Sequence, residues 1–232
     1  LRANINGVVS DDFSFGSGDF TIEGFIYPTG IPHGTYATLV TPGYSLQTYF
    51  MNSNSLSLFV SSNGSSYDMI STANATGTDS IFQNKWSHFA LTRSGNTFRY
   101  FINGIEKYTN TVSGAIHNDS TPLGIGDYAP SLGSFEFQGY MSNIRICKGH
   151  AVYTSQFTPP TRELEVHSET VLLCCHDSDD PTQEATGKTI TGYGNLAAFS
   201  SGDNLVTNGT FDSATTGWTS DGTVTIDSNR LK

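Results

Sequence analysis

Charged residues are scarce in this chain, and several familiar sequence patterns are missing with them. Only 14% of the 232 residues are Asp, Glu, Lys or Arg, against about 25% in an average globular domain. There are no runs of Ala, Leu, Glu and Lys with the 3.6-residue period of a helix, and no apolar stretch approaches the roughly 18–20 residues of a membrane span. We therefore expect almost no helix and no membrane-spanning segment.

Basic residues are scarcer than acidic ones. The chain has 11 Lys and Arg against 21 Asp and Glu, which gives a formal net charge of −10 at pH 7. Proteins that bind nucleic acid or anionic bilayers offer Lys and Arg to the phosphates. This charge balance excludes nucleic acid and disfavours membrane surfaces as partners.

The cysteines do not form a pattern typical of disulfide-rich proteins. Cys147, Cys174 and Cys175 are an odd set, and two adjacent residues of a strand point to opposite faces of the sheet. We expect buried free thiols, which suits a protein that is assembled in a reducing cytoplasm.

Short segments of alternating apolar and polar residues, separated by Gly, Ser, Thr and Asn, make up most of the chain. In one of them Phe98, Tyr100 and Ile102 fall on one face, and Asn103-Gly104 supplies the two positive-φ residues of a type I′ hairpin. A single open sheet would leave an apolar face in water, so we predict an all-β fold, a two-sheet antiparallel β-sandwich. The predicted strands are Phe20–Tyr27, Ala37–Thr41, Tyr44–Met51, Ser55–Ser62, Tyr67–Thr72, Trp86–Arg93, Thr97–Ile102, Ile105–Asn110, Pro122–Tyr128 and Phe135–Cys147.

The sequence changes character after Pro159-Pro160. Two prolines cannot continue a strand ladder, so we predict that the sandwich covers residues 1–160. Residues 161–203 are predicted to be a β-rich connector with short strands at Thr170–His176 and Thr189–Thr191. Residues 204–232 begin a new pattern that is too short to close a core, and we predict the truncated start of a second β module.

Five segments carry a resemblance to a known family. They are Phe20–Tyr27, Lys85–Arg93, Phe101–Gly104, Leu123–Gly126 and Phe137–Ile146. In this order they resemble the laminin G-like, concanavalin A-like β-sandwich. The resemblance implies that Trp86 and the alternating aromatic residues fill the space between the sheets.

Two later segments suggest a setting for the sandwich. The stretch Lys148–Pro160 resembles the variant of this family that is repeated in bacteriophage tail and other virion proteins. Asn204–Asp212 and Thr216–Thr219 resemble the opening of a galactose-binding-like, carbohydrate-binding jelly roll. The resemblances imply a multi-domain adhesive protein on a virion surface.

Catalytic patterns are missing from the sequence. Glycoside hydrolases of the wider superfamily need two carboxylates across a groove, arranged in one version as Glu-x-Asp-x-x-Glu, and this chain has no such string. Glu163 and Glu165 lie just after the double proline without a third partner, which favours a solvated edge. We predict that the protein is not an enzyme.

Calcium binding stays open as the single cofactor hypothesis. Many laminin G-like domains bind calcium with an acidic residue just before the strand that here begins at Tyr44, but this chain has Thr41-Pro42-Gly43 at that place. Asp68 and Asp127 are candidates for a shifted site, although loop aspartates commonly cap their own turns.

A second acidic group occurs in the connector. His176, Asp177, Asp179, Asp180 and Glu184 are close in sequence. They do not fit a twelve-residue calcium loop, because Thr182 stands where glycine is required. A solvated acidic loop is the simpler interpretation.

Glycan binding is the function that the sequence favours. Sugars are bound by aromatic rings that stack on their CH groups and by amide or carboxylate groups that pair with their hydroxyls. The candidates at predicted strand ends and loops are Tyr44, Tyr67, Asp68, Asp127, Tyr128 and Tyr153. Each of them alone is also consistent with packing or turn structure.

The sequence therefore predicts a non-enzymatic structural or adhesion protein of a virion surface, tail or capsid exterior, that is produced in a host cytoplasm. Its expected partners are host or environmental glycans and other virion proteins, and a homo-oligomer is left open. The alternatives are the carbohydrate-binding accessory part of a phage depolymerase and a secreted bacterial adhesin. These predictions rest on family analogy, because fold does not establish ligand.

Overall fold

The computed structural model describes residues 11–30, 34–118, 121–128, 133, 135–177, 179–192, 226–227 and 230–231. In these residues the secondary structure is β, apart from the 3-10 turn Asp11–Phe13, so the predicted all-β class is confirmed. No helix in this part of the chain is long and apolar enough to cross a bilayer. The chain forms two compact units, Leu1–Leu196 and Ala197–Lys232.

Strands are numbered in chain order. They are β1 Phe20–Gly30, β2 Tyr36–Thr38, β3 Val40–Thr41, β4 Leu46–Gln47, β5 Tyr49–Met51, β6 Ser55–Leu56, β7 Leu58–Val60, β8 Ile70–Thr72, β9 Ser87–Ser94, β10 Thr97–Ile102, β11 Ile105–Thr111, β12 Gly124–Ile125, β13 Gln138–Lys148, β14 Thr170–Cys174, β15 Ile226–Asp227 and β16 Arg230–Leu231. In the second unit β15 and β16 pair with each other. Most of the module predicted at 204–232 lies outside the described residues.

The first layer of the sandwich is an antiparallel six-stranded sheet in the order β11-β10-β9-β1-β13-β14. β14 lies in the segment assigned to the connector, and it pairs with β13 at the edge of this sheet. The backbone N–H of Ala185 donates to the carbonyl oxygen of Leu173, so the chain after β14 folds back along that edge.

The second layer consists of three short antiparallel pieces, β2-β5-β6, β4-β7-β8 and β12-β3. The predicted strands Ala37–Thr41, Tyr44–Met51 and Ser55–Ser62 are each broken in two here, at Leu39, Thr48 and Ser57. Side-chain hydroxyls join the strands at the breaks. The Thr48 hydroxyl accepts from the N–H of Val40 and donates to its carbonyl, and the Ser57 hydroxyl accepts from the N–H of Tyr49.

The core lies between the two layers. β1, β9, β10 and β13 contribute one side of it, with residues such as Ile22, Leu91 and Tyr100 fully buried. The second layer contributes the other side, with Phe50 and Leu58 as examples. Because side chains alternate along a strand, each buried residue fixes its two neighbours on the outer face.

The hairpin predicted at Asn103-Gly104 is present. Ile102 pairs with Ile105, and Asn103 and Gly104 have φ angles of 50° and 76°, the positive values that a type I′ turn requires. Phe98, Tyr100 and Ile102 all lie in the core, as their spacing predicts.

Trp86 does not fill the space between the sheets, and that expectation is wrong. Its side chain is 45% exposed and lies 5.6 Å from the ring of Tyr27. Phe89 and Leu91 face the core, so the two-residue period places Trp86 on the outer side of the sheet together with His88.

The adjacent cysteines also differ from the expectation. The residues Cys147, Cys174 and Cys175 are free thiols. Cys175 has a φ of 57° and leaves the strand, so its sulfur lies 3.8 Å from that of Cys174 and not on the opposite face. Strand Thr170–His176 is present as β14, whereas Thr189 and Ile190 are not in a strand.

Residues 150–160 form a strap over the outer side of the six-stranded sheet. The rings of Tyr153 and Phe157 stack on each other with centroids 3.5 Å apart. The N–H of Phe157 donates to the carbonyl of Gly104, and the Thr92 hydroxyl donates to the carbonyl of Tyr153. The strap therefore covers the middle of the sheet.

A buried charged group lies beneath the strap. Glu23 is fully buried, and it accepts hydrogen bonds from Nε and a terminal nitrogen of Arg145 at 2.9 and 2.6 Å. Tyr153 donates to the other carboxylate oxygen at 2.9 Å, and Nε2 of His88 lies 3.2 Å from it. Burial raises the pKa of Glu23, but the hydrogen bond to His88 and the charge of Arg145 outweigh it, so the pKa lies below its ordinary value.

The strap makes the turn at Gly104 sensitive to any side chain. A Cβ at Gly104 would lie 1.9 Å from the carbonyl oxygen of Phe157. We expect Gly104→Val to lower the free energy of unfolding by more than the roughly 1–3 kcal/mol of backbone strain alone. Gly95→Val is the matched control, because Gly95 also has a positive φ of 57° but has no atom within 4 Å of such a Cβ. If urea unfolding showed the same loss in the free energy of unfolding for both variants, the close contact between Gly104 and Phe157 would be contradicted.

The buried carboxylate predicts a specific acid sensitivity. Because the pKa of Glu23 is lower in the folded state than its unfolded value of about 4.3, its contribution to stability is complete above that value. The contribution is lost as the pH falls through the folded pKa. Glu23→Gln leaves Arg145 without its partner and should cost about 3–5 kcal/mol at pH 7.

The measurement is thermal melting of both proteins from pH 7 to pH 2.5. The difference in melting temperature between the wild type and Glu23→Gln should become smaller below about pH 4.3. Glu163→Gln, at an exposed position, is the control and should leave the melting profile unchanged. A constant gap at all pH values would rule out an ionised Glu23.

Candidate functional site

The outer side of the second layer carries a continuous group of aromatic rings. Leu46, Phe50, Leu58 and Val60 face the core, so alternation turns Gln47, Tyr49 and Phe59 outward. Further rings from β2 and from loops at the layer's ends join them. We call this group the aromatic face, and its members are Tyr36, Tyr44, Tyr49, Phe59, Tyr67, Tyr128 and Phe135.

The rings of the aromatic face contact one another from end to end. At one end Tyr36 stacks on Phe135 with centroids 4.9 Å apart, and Tyr128 lies 6.0 Å from Phe135. At the other end Tyr44 stacks on Tyr67 at 5.2 Å. Phe59 lies between the ends, 6.1 Å from Tyr49 and 5.0 Å from Tyr67. All are partly exposed except Tyr49, which is 7% exposed.

Gln47 organises the polar atoms at the centre of the aromatic face. Its side-chain oxygen accepts hydrogen bonds from the hydroxyls of Tyr49 and Tyr67, the latter at 2.6 Å. Its side-chain nitrogen donates to the Tyr128 hydroxyl at 3.4 Å. Burial, together with the neighbouring tyrosines, raises the pKa of Tyr49 and Tyr67. Both hydroxyls therefore stay protonated at neutral pH, which keeps them donors and holds the rings in place.

Three of the tyrosines proposed from sequence meet on this surface, namely Tyr44, Tyr67 and Tyr128. Asp68 lies beside them but bonds its own loop, since its carboxylate accepts from the backbone N–H and the hydroxyl of Ser62. Asp127 is 5% exposed and accepts the backbone N–H groups of Tyr128 and Gly133. Both aspartates therefore shape the loops that carry the rings.

Tyr153 lies apart from the other sequence candidates. It belongs to the strap on the six-stranded sheet, where its hydroxyl donates to Glu23 and its ring stacks on Phe157. These contacts hold the strap against the sheet.

Several members of the aromatic face, and Gln47 at its centre, were not identified from sequence. Gln47, Tyr49 and Phe59 lie within strands, whereas the sequence candidates were chosen at strand ends and loops. The alternation of Leu46, Gln47, Thr48 and Tyr49 was a usable signal once one face had been assigned to the core. Tyr36 and Phe135 lie 99 positions apart in the sequence, and pairing of distant segments brings them together.

A smaller aromatic group lies on the outer side of the other sheet. Trp86 and Tyr140 are 45% and 38% exposed, and both pack against Tyr27, at 5.6 and 5.7 Å. This second group is useful as a comparison, since it is exposed and aromatic but belongs to the other layer.

The carboxylates of Glu23, Glu163 and Glu165 differ in their exposure. Glu23 is enclosed, and its two oxygens are taken by Arg145, His88 and Tyr153. Glu163 and Glu165 are exposed on either side of the buried Leu164, as the sequence predicts for a solvated edge.

The acidic loop after β14 caps its own turns. Asp177 accepts the backbone N–H groups of Asp179 and Asp180, and Asp180 accepts from Thr182. Glu184 accepts from the N–H groups of Leu173, Thr186 and Lys188. Within the described residues no three His, Cys, Asp or Glu side chains are grouped as metal ligands.

Comparison with solved structures reveals similar folds at low sequence identity. A candidate carbohydrate binding protein from Bacteroides ovatus matches with a TM-score of 0.50 and 17% identity, over 68% of this chain and 45% of that one. Domain 4 of an arabinanase from Geobacillus stearothermophilus, in complex with arabinotriose, matches with a TM-score of 0.43 and 14% identity, over 60% of this chain and 64% of that one.

Domains LG4-5 of the mouse laminin alpha1 chain match with a TM-score of 0.42 and 14% identity, over 64% of this chain and 44% of that one. The chain thus spans less than two thirds of each of these structures. No curated protein matches the sequence.

A protein-family model gives the assignment. The model described as the concanavalin A-like lectin/glucanases superfamily, of laminin G type, matches residues 3–151, which is more than half of the chain. The matched residues include β1 to β13, which form the whole second layer, the aromatic face and every strand of the six-stranded sheet except β14. The chain belongs to the concanavalin A-like lectin/glucanases superfamily.

Proposed function

We propose that this protein is a carbohydrate-binding module that holds a glycan on the aromatic face and carries out no chemistry on it. The observation that carries the proposal is the run of partly exposed rings centred on Gln47. Superfamily membership and the description of the Bacteroides ovatus structure as a candidate carbohydrate binding protein support it.

The chemistry of the face suits sugars better than purely apolar partners. A sugar ring presents CH groups on its faces and hydroxyls at its edges, so it needs aromatic planes with donors and acceptors beside them. Tyr44, Tyr67 and Tyr128 provide both in the same side chain. Their hydroxyls already bond to Ser65 and Gln47, so little rotational freedom is left to lose when a ligand binds.

We also propose that the module belongs to a virion surface protein, either of the tail or of the capsid exterior, and that it contributes to adhesion. The support is the resemblance of residues 148–160 to the variant that is repeated in bacteriophage proteins. Residues 204–232, predicted as the truncated start of a second β module, resemble the opening of a carbohydrate-binding jelly roll, which is consistent with an adhesive protein.

Glycan binding is tested by immobilised glycans and single-ring variants. We expect Tyr67→Ala and Tyr128→Ala to weaken binding of any hit roughly two- to tenfold each, since an aromatic contact contributes about 0.5–1.5 kcal/mol. Trp86→Ala removes a ring from the other sheet that is more exposed than either tyrosine, and it should leave binding unchanged. The proposal would be contradicted if no immobilised glycan bound the protein at high density, or if only Trp86→Ala lost glycan binding.

The virion assignment is tested on particles. Mass spectrometry of purified virions should detect the full-length product, and antibodies against the module should label intact particles in electron microscopy. Detection of the product only in bacterial culture medium would instead favour a secreted adhesin.

A further inference from the structure

The aromatic face is built from a part of the sequence that has no positive side chain. There is no Lys or Arg between residues 3 and 84, and none between residues 108 and 144. Those two stretches supply every strand of the second layer, β2 to β8 and β12, and every member of the aromatic face. The layer that carries the proposed site therefore presents no permanent cation.

Within the first unit, Leu1–Leu196, the cations of the described residues belong to the other layer or to the segments beside it. They are Lys85 before β9, Arg93 in β9, Arg99 in β10, Lys107 in β11, Arg145 and Lys148 in β13, and Arg162 and Lys188 after β13. Several of these cationic side chains already form hydrogen bonds or ion pairs within the protein. Arg145 bonds to Glu23, Arg93 donates to the carbonyls of Gly16, Gly95 and Gly114, and Arg99 pairs with Glu106.

The charges that do lie near the aromatic face are negative. Asp68 is exposed next to Tyr67, and Glu136 is exposed next to Phe135. Among the described residues one histidine lies near the Tyr67 end of the aromatic face. The ring of His117 packs over Gly64, in the loop that carries Tyr67. With a net charge of −10 for the whole chain, the field at this surface repels anions.

We propose that the aromatic face selects uncharged glycans and rejects sialylated, uronic-acid and sulfated ones; this inference rests on the glycan-binding function proposed above. Sugar carboxylates and sulfates are bound by Arg or Lys through charge-assisted hydrogen bonds, and the face offers only hydroxyls, an amide and ring planes. A buried or partly buried anion without such a partner loses its hydration and gains nothing in return.

The experiment compares matched pairs of glycans in which the same chain is presented with and without the acid. Lactose-terminated glycans with their sialylated forms, and dextran with dextran sulfate, are suitable pairs on one array. Measurements are made at pH 8, and at both 0.15 M and 0.5 M salt. We expect the neutral member of each pair that binds to exceed its acidic form by about tenfold or more, with the difference shrinking as salt screens the repulsion.

A charge inserted on the face gives a direct test. Ser71 is exposed on β8 and pairs with Phe59 across the strands, so Ser71→Arg places a cation beside the rings. This variant should narrow the preference for neutral glycans severalfold. Thr109→Arg is the matched control, because Thr109 is exposed on β11 of the other sheet and the net charge changes equally.

The outcomes separate the two proposals. If no glycan of either kind binds, both the function and the selectivity are wrong. If an acidic member binds as well as its neutral partner, and Tyr67→Ala weakens both, the glycan-binding function stands and the selectivity is wrong. The selectivity proposal would also be wrong if Thr109→Arg reduced the preference for neutral glycans as much as Ser71→Arg does. The net charge of the protein, and not the aromatic face, would then determine the preference.

Discussion

The two-residue period of the strands in the second layer determines what the molecule can do. Leu46, Phe50 and Leu58 must lie against the six-stranded sheet, because together with the apolar side chains of β1, β9 and β10 they make the only large core among the described residues. That requirement forces Gln47, Tyr49 and Phe59 outward. The aromatic face and the core are therefore two sides of the same few strands, and neither can change register without the other.

The two layers differ in what their outer sides carry and in how far those sides are covered. On the six-stranded sheet the outer side carries Glu23, Arg145 and His88, and the strap with Tyr153 and Phe157 covers them. On the second layer the outer side is left partly exposed and lined with rings. A charged group whose carboxylate is paired with Arg145, His88 and Tyr153 suits a closed surface, whereas a partly exposed aromatic group suits an open one.

Local signals in the sequence predicted the fold class, and they identified three of the rings that the structure brings together on the aromatic face. The Asn103-Gly104 turn is a local signal, since both positive-φ residues are adjacent. Tyr44, Tyr67 and Tyr128 were found because loops commonly carry binding residues. Gln47 was missed because two of its partners, Tyr67 and Tyr128, come from separate loops 20 and 81 residues away. Glu23 was missed for a similar reason, as His88 and Arg145 lie 65 and 122 residues away and only strand register brings them together.

The strap has a practical consequence for choosing where to cut the protein. The family match ends at residue 151, yet Tyr153, Phe157 and β14 lie beyond it. A recombinant piece trimmed to the matched region would uncover an ionised carboxylate, a buried arginine and an unpaired strand edge at once. A recombinant fragment that continues through Ile190 retains the strap over those charges. The side chain of Ile190 also reaches the core.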